Sequence, residues 1–214
     1  MTRIAIYGVG LIGGSLAMCF KDKPGYTVVG HSPNPTSVEK YQASGVVDYA
    51  TTSFAEAAQA ADFIFVCVPV GMLATYLRKL SELPLKHGCI VTDVGSTKAA
   101  VARIGRDITW PEGVHFIGGH PMAGSERSGV EAANVRLFEN AIYVLTPDVH
   151  IPEAAYRKLE QLLAATRAHM IKVDPDRHDE IVGAISHLPH IIAAALVNPV
   201  AALREQDPWY EQLA

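Results

Sequence analysis

Cysteine is scarce in this chain of 214 residues, and clusters of positive charge are missing. The three cysteines, Cys19, Cys67 and Cys89, are odd in number, lie far apart and form no C-x-x-C pair. That pattern fits reduced core thiols better than a disulfide framework, so we expect a cytoplasmic protein. The net charge is −4, and without a basic cluster we expect no nucleic-acid partner.

The marks of secretion and of a membrane span are also missing. No charged segment followed by an apolar core and a cleavage site stands at the start of the sequence, so we expect no export. The longest apolar stretch, Leu188–Leu203, is interrupted by His190, Asn198 and two prolines. Such a stretch is too short to cross a bilayer. We therefore expect no membrane partner.

Apolar runs typical of strands alternate with helical segments over most of the chain. This alternation indicates βαβ units and predicts an α/β fold, a doubly wound and mostly parallel Rossmann sheet over residues 1–173. Residues 174–214 show no further strand and predict the beginning of a helical domain, with helices interrupted near Asn198 and Pro199. The predicted strands are Arg3–Tyr7, Tyr26–His31, Phe63–Pro69, Cys89–Val94, Phe116–Gly119, Ala141–Thr146 and His169–Val173.

A glycine turn, Gly8-x-Gly10-x-x-Gly13, follows the first strand and opens the first helix. In that setting the first glycine permits the tight turn, the second lets a pyrophosphate approach the backbone, and the third lets helix and strand pack closely. The free N–H groups of the helix start, at Leu11 and Ile12, favour a diphosphate. The alternative is a glycine-rich turn without a ligand. We predict a dinucleotide site.

The choice between NAD and NADP depends on the end of the second strand. NAD sites usually carry an acidic residue there, about 20 residues after the turn, to hold the ribose 2′-hydroxyl. Here no acid occurs between Asp22 and Glu39, and Ser32 could bind a 2′-phosphate. Because no arginine lies nearby, the preference for NADP is modest. Val68 and Pro69, which close the third predicted strand, complete the candidate cofactor residues.

Three further clusters fall beyond the carboxyl ends of strands, where a doubly wound sheet places its active site. The stretch TDVGSTKAAV contains Ser96 and Thr97, for which capping of the next helix is the alternative role. In GGHPMAGSERSG, His120 follows a short strand in a loop of small residues. An imidazole there could take a proton near neutral pH, and a structural role stands beside that interpretation.

The third cluster, SHLPH, places His187 and His190 on one helix face. With His178 they would make a possible zinc half-site. No cysteine and no H-E-x-x-H pattern completes it, so we predict no metal. For His190 a place in an apolar core is the alternative.

The stretches GVGLIGGSL, VTDVGSTK, GGHPMAGSERSG and SHLPH occur in an order and spacing that resemble the prephenate/arogenate dehydrogenase family of tyrosine biosynthesis. The resemblance implies NAD(P)-dependent oxidative decarboxylation of a ring substrate. It also implies roles for six residues: His120 as the base for the ring hydroxyl, Ser96 as a ligand of that hydroxyl and of the nicotinamide, Ser125 beside the substrate, Glu126 as a gate of the pocket, and His187 and His190 in its lining.

The chain departs from the family pattern after these helices. Family members continue with a G-F-R-D-x-T-R stretch, whose arginine holds a substrate carboxylate, and with the helices of a dimer. This sequence ends at Ala214 without them, so we expect residues 174–214 to be an incomplete substrate and dimerisation domain. A homodimer is expected for a full-length form.

Two other functions stay open. A β-hydroxyacid-type dehydrogenase would need a lysine in the helical domain, and none follows Lys172. A nucleotide-binding module without turnover would keep the glycine turn. No residue decides between prephenate and arogenate.

Overall fold

A six-stranded sheet lies at the centre of the first part of the computed structural model, which describes residues 1–204, 207 and 209–212. All neighbouring strands pair in parallel, in the order β3-β2-β1-β4-β5-β6. The strands are β1 (Thr2–Tyr7), β2 (Tyr26–His31), β3 (Tyr49–Thr51), β4 (Phe63–Val66), β5 (Ile90–Asp93) and β6 (His115–Ile117). This order confirms the predicted Rossmann fold. The strand order reverses between β1 and β4, which opens a crevice at their carboxyl ends.

Helices cover both faces of this sheet. They are α1 (Leu11–Phe20), α2 (Pro35–Ser44), α3 (Phe54–Ala58), α4 (Val70–Ser81), α5 (Ala99–Asp107) and α6 (Glu153–Leu163). The alternation of side chains along β1 separates two buried cores, because Ile4 and Ile6 belong to one cluster and Ala5 and Tyr7 to the other. Both faces are therefore buried, as the apolar strand runs predict.

A second sheet of three strands follows, with β7 (Gly119–Pro121), β8 (Ile142–Leu145) and β9 (His169–Lys172). β8 pairs antiparallel with β7 and parallel with β9. The predicted strand Phe116–Gly119 is thus wrong in its bounds, because the chain leaves the first sheet after Ile117 and enters the second at Gly119. His120 consequently lies within a strand and not in a loop.

The chain divides into two compact units, Met1–Pro175 and Asp176–Ala214. The helices at and beyond this division are α7 (Pro175–Val182), α8 (Leu188–Arg204) and α9 (Trp209–Gln212), with a π-helical turn over Gly183–His187. The expected interruption near Asn198 and Pro199 is wrong, since α8 continues through Pro199. Proline costs a helix about 3 kcal/mol, and the alanines and leucines that surround it are among the strongest helix formers.

The helical run from Pro175 to Pro199 contains an 18-residue window with a mean hydropathy of 1.6, and by length and composition alone it could cross a membrane. The expectation that no stretch reaches this length was therefore wrong, because it counted only the residues from Leu188 onward. Core helices of proteins outside membranes pass the same test.

Candidate active site

The glycine turn lies at the carboxyl end of β1, on one side of the crevice. Gly8 has a φ of +92°, and a Cβ atom there would lie 2.6 Å from the carbonyl oxygen of Cys67. A Cβ at Gly13 would lie 2.1 Å from the carbonyl oxygen of Gly8. A Cβ at Gly10, by contrast, would meet no other part of the described chain within 4 Å. Gly8 and Gly13 are thus required by packing, whereas Gly10 borders open space.

The amino end of α1 presents N–H groups without a side-chain cap. Gly10 is its N-cap and offers no side chain, and no acidic residue stands in the first turn. The N–H groups of Leu11 and Ile12 belong to the first turn, where a helix supplies no carbonyl acceptor of its own. These donors and the helix dipole favour an anion. The open space at Gly10 therefore fits the pyrophosphate of a dinucleotide.

The other side of the crevice follows β4. The Cys67 N–H donates to the carbonyl oxygen of Tyr7 at 2.7 Å, which extends the pairing of β4 with β1 by one residue. Val68 is half-buried and its Cγ1 would lie 3.4 Å from a Cβ at Gly8. Pro69 is exposed and caps α4. Val68 and Pro69 thus lie beside the glycine turn.

Ser32 is the first residue after β2 and is buried, with 8% of its surface exposed. Its Oγ accepts a hydrogen bond from the Asn34 N–H at 3.2 Å, and Asn34 in turn caps α2 through the Thr36 N–H at 3.0 Å. The side chain before it, His31, is enclosed by aromatic rings instead. Ser32 is therefore the polar side chain that follows β2 at the place where many dinucleotide sites carry a carboxylate.

The His31 ring lies 4.7 Å from the Tyr7 ring and 5.4 Å from the Phe54 ring, measured between centroids. Neither ring nitrogen of His31 has a hydrogen-bond partner among the described residues. Burial lowers the pKa of this imidazole to about 4. The side chain is therefore neutral at physiological pH.

A buried ion pair connects β5 with β7. Asp93 ends β5 and Lys98 precedes α5, both side chains are 0% exposed, and the Lys98 ammonium contacts the Asp93 carboxylate directly. The Gly119 N–H donates to Asp93 Oδ1 at 3.2 Å, and Lys98 Nζ donates to the Gly119 carbonyl oxygen at 2.7 Å. The backbone immediately before His120 is thereby held by two charged groups.

His120 is 9% exposed and lies opposite Val144 in the pairing of β7 with β8. One residue away, Tyr143 is fully buried, and its hydroxyl has no hydrogen-bond partner among the described residues. Burial raises the pKa of this phenol well above its ordinary value. His120 thus lies on a paired strand, and Tyr143, which pairs with Pro121, belongs to the opposite face of that strand.

The other candidates near His120 in sequence are more accessible. Ser96 is exposed and Thr97 half-buried. The alternative role, in which one of them caps the next helix, is wrong, because α5 begins at Ala99 after Lys98 and has no side-chain cap. Ser125 and Glu126 are exposed in the segment after β7, where the Ser125 Oγ accepts from the Arg127 N–H at 3.2 Å.

His187 and His190 belong to the second unit. His187 ends the π-helical turn and is half-buried, whereas His190 on α8 is exposed. The alternative of a core position for His190 is therefore wrong. Its Nδ1 lies 2.7 Å from the carbonyl oxygen of Ser186. Since a carbonyl only accepts, Nδ1 carries the hydrogen and Nε2 of the neutral ring is an acceptor. Within the described ranges, no group of three or more His, Cys, Asp or Glu residues is arranged to hold a metal ion.

The sequence interpretation did not assign roles to Asp93 and Lys98. The sequence does contain a signal for this pair. Asp93 stands at the end of a predicted strand and Lys98 follows five positions later, so both residues lie near the carboxyl end of that strand. The sequence alone does not show that Asp93 and Lys98 pair, or that both bind the backbone of Gly119; the structure shows both contacts.

Comparison with known proteins gives one family for both units. Residues 16–172 match the model described as prephenate dehydrogenase, nucleotide-binding domain, and residues 174–214 match prephenate dehydrogenase, dimerization domain. The prephenate dehydrogenase of Bacillus subtilis is 39% identical over 196 residues, which are 91% of this chain and 53% of that protein. The chain spans little more than half the length of the curated relatives it matches.

Solved structures give the same result. A prephenate dehydrogenase from A. aeolicus, in complex with hydroxyphenyl propionate and NAD+, has a TM-score of 0.86 and 32% identity, covering 94% of this chain and 70% of that one. The arogenate dehydrogenase of Synechocystis has a TM-score of 0.81 and 34% identity, covering 94% and 69%.

Proposed function

The chain belongs to the prephenate dehydrogenase family, and from this membership we propose that it oxidises and decarboxylates prephenate or arogenate with NAD or NADP. The products would be 4-hydroxyphenylpyruvate from prephenate and tyrosine from arogenate. The observation that carries the proposal is His120, a largely buried imidazole whose strand is fixed to the carboxyl end of β5. At the carboxyl end of β1, which is separated from β5 by β4 alone, the glycine turn offers a fit for a dinucleotide.

We assign His120 the role of general base. It removes the proton of the ring hydroxyl while the carbon that bears the hydroxyl loses a hydride and the ring carboxylate leaves as CO2. The proton returns to the oxygen of the phenol, so that no proton is consumed overall. General base catalysis typically contributes about 10²- to 10⁴-fold in rate. Ser96 holds the same hydroxyl.

A bound nicotinamide would supply the hydride acceptor. The chain would hold this cofactor through the backbone of the glycine turn and through side chains at the ends of three strands. The residues assigned to it are Gly8, Gly10, Leu11, Ile12, Gly13, Ser32, Val68, Pro69, Ser96 and Thr97. The fit rests on the open space at Gly10 and on the acid-free first turn of α1. Because Ser32 replaces a carboxylate after β2, a modest preference for NADP follows.

The substrate residues are assigned by resemblance. Ser125 lies beside the substrate, Glu126 gates the pocket, and His187 and His190 line it. We propose that residues 1–173 form the dinucleotide-binding domain and residues 174–214 belong to a substrate and dimerisation domain. The protein is expected in the cytoplasm.

A homodimer is the proposed assembly. Apolar side chains are exposed along the second unit, among them Ile191 at 65% and Leu196 at 68%, and large exposed apolar surfaces commonly mark interfaces. The family model that matches this segment is described as a dimerization domain. Sedimentation at several protein concentrations measures the association directly.

The decisive experiment is a turnover assay with prephenate and with arogenate, each with NAD and with NADP. Calorimetric titration of both dinucleotides accompanies it. Formation of reduced cofactor together with CO2 supports the proposal. Dinucleotide binding without turnover on either substrate would favour the alternative of a nucleotide-binding module. Oxidation of a β-hydroxyacid in place of the ring substrates would favour the other alternative.

A further inference from the structure

The buried pair of Asp93 and Lys98 binds both backbone polar groups of one residue, Gly119. Asp93 Oδ1 accepts from the N–H of Gly119, and Lys98 Nζ donates to the carbonyl of the same residue. That carbonyl belongs to the peptide bond between Gly119 and His120. The two charges therefore fix the position of Gly119 and the plane of the amide from which the His120 side chain departs.

The packing around Gly119 allows little freedom. A Cβ atom there would lie 2.7 Å from the Asp93 carbonyl oxygen and 3.1 Å from a ring carbon of Tyr143. At Gly118 a Cβ would lie 2.5 Å from the Thr146 hydroxyl. The strand that carries His120 thus runs directly against the end of β5.

The same pair holds the loop that contains Ser96. Asp93 Oδ2 accepts from the Gly95 N–H at 2.8 Å and also contacts the Lys98 ammonium. Ser96 and Thr97 lie between these two anchored residues. One carboxylate therefore connects the loop of Ser96 with the strand of His120, although the two segments are more than twenty positions apart in the sequence.

Stability alone is a poor reason for such a pair. Removing two charges from water costs several kcal/mol for each ion, and apolar replacements of similar volume are often equally stable. A buried ion pair with backbone partners does define geometry, because each hydrogen bond has a narrow range of distance and angle.

We propose that Asp93 and Lys98 are positioning residues, which set the orientation of the His120 imidazole relative to Ser96. This inference rests on the proposed function for its catalytic consequence. Misplacement of a reacting group by about 1 Å can lower a rate by about 10²-fold. Loss of the pair should therefore lower kcat. The dinucleotide Kd should change much less, because all the assigned cofactor residues except Ser96 and Thr97 lie after β1, β2 and β4, away from the pair.

The test uses Lys98→Met, which removes the ammonium and keeps an unbranched side chain that is one atom shorter. Because this variant leaves a buried carboxylate without its counter-ion, the double variant Asp93→Asn/Lys98→Met is made as well. Lys86→Met is the matched control. Lys86 pairs with Asp62 at 2.5 Å before β4, at the opposite edge of the same sheet.

The first measurement is the NMR titration of the His120 imidazole, assigned by its loss in His120→Asn. We expect its resonance to move and its midpoint to shift by about half a pH unit or more in the variants without the pair, since burial and nearby charge both change. Lys86→Met should reproduce the wild-type curve. A folded double variant with a wild-type His120 titration would overturn the proposal. So would failure of the double variant to fold, since the pair would then be required for folding itself.

The second measurement is turnover at saturating substrate. We expect kcat to fall by about 10²-fold, with KM and the dinucleotide Kd within about threefold of wild type. An unchanged kcat in a folded double variant contradicts the inference. If the wild-type chain turns over none of the substrates, the proposed function fails, and the His120 titration still decides the positioning role.

Discussion

Replacing Gly10 by alanine separates the binding role of the glycine turn from its structural role. Gly10 has a φ of −90°, outside the left-handed region that favours glycine. Apart from its own chain neighbours and helix backbone, a methyl group there meets no atom of the described residues within 4 Å. It would project into the space beside the first-turn N–H groups of Leu11 and Ile12, where the pyrophosphate is proposed to lie.

Two effects on folding oppose each other at this position. Alanine reduces the entropy of the unfolded chain, which stabilises a protein by about 0.4–1 kcal/mol, but it is a poorer N-cap than glycine. We therefore expect the free energy of unfolding to stay within about 1 kcal/mol of wild type. Binding should respond more strongly. A charge-assisted hydrogen bond contributes about 1.5–3 kcal/mol, so loss of one such bond raises the dinucleotide Kd by about 10- to 150-fold.

The assay combines urea unfolding with calorimetric titration of NADP and NAD. Gly13→Ala is the matched comparison, since its Cβ would lie 2.1 Å from the Gly8 carbonyl oxygen and 3.1 Å from Cys67 Cβ. Because backbone must move to relieve that contact, Gly13→Ala should lose about 1–3 kcal/mol of stability as well as affinity. Wild-type affinity in Gly10→Ala would refute the location of the pyrophosphate. A large loss of stability in Gly10→Ala would refute the structural account of the turn.

Three further predictions concern single side chains. His120→Asn should lower kcat by at least about 10²-fold, because asparagine cannot take the hydroxyl proton, while calorimetry shows an unchanged dinucleotide Kd; equal kcat would remove His120 from the mechanism. Ser32→Asp should lower the affinity for NADP much more than for NAD, since a carboxylate after β2 repels a 2′-phosphate; equal changes would show that residue 32 does not face the ribose. Burial holds the pKa of His31 at about 4, below the usual value of about 6.5, so the unfolded chain binds more protons and stability falls as the pH falls from about 6.5 toward 4. His31→Phe should therefore reduce the stability lost between about pH 7 and about pH 4.5 by about 2 kcal/mol, measured by urea unfolding with the exposed His169→Phe as control; an unchanged slope would contradict the lowered pKa.

Much of the first sheet could be predicted from the sequence because its strands are long apolar runs. Tyr26–His31 was predicted with the bounds that the structure has. The strand Tyr49–Thr51 was missed, since three residues give no periodicity to detect. The break between β6 and β7 at Gly118 was also missed, because two short strands separated by a single glycine look like one continuous strand in the sequence. The continuation of α8 through Pro199 shows that a single proline does not by itself end a helix.

The candidate site was predictable to a different degree for each kind of residue. The glycine turn can be recognised from the sequence because local geometry determines the spacing of its glycines. Gly8 and Gly13 have no space for a side chain. A lone histidine has no such local sequence pattern. His120 became a candidate only because of the glycine pair, the proline and the small residues around it in the sequence. Positioning residues give the weakest signal, because Asp93 and Lys98 are related to His120 by contacts across two sheets.

The glycine pair before His120 has the same physical basis as the glycine turn. Gly119 has no space for a side chain because its backbone binds the Asp93 carboxylate and lies close to the Asp93 carbonyl oxygen. A larger residue would push β7 away from β5 and break both hydrogen bonds that Gly119 makes to the ion pair. The absence of a side chain at Gly119 therefore permits the close approach of β7 to the end of β5 at which both charged groups bind the Gly119 backbone. In the G-G-H sequence, the residue whose backbone binds Asp93 and Lys98 therefore directly precedes His120, the candidate base.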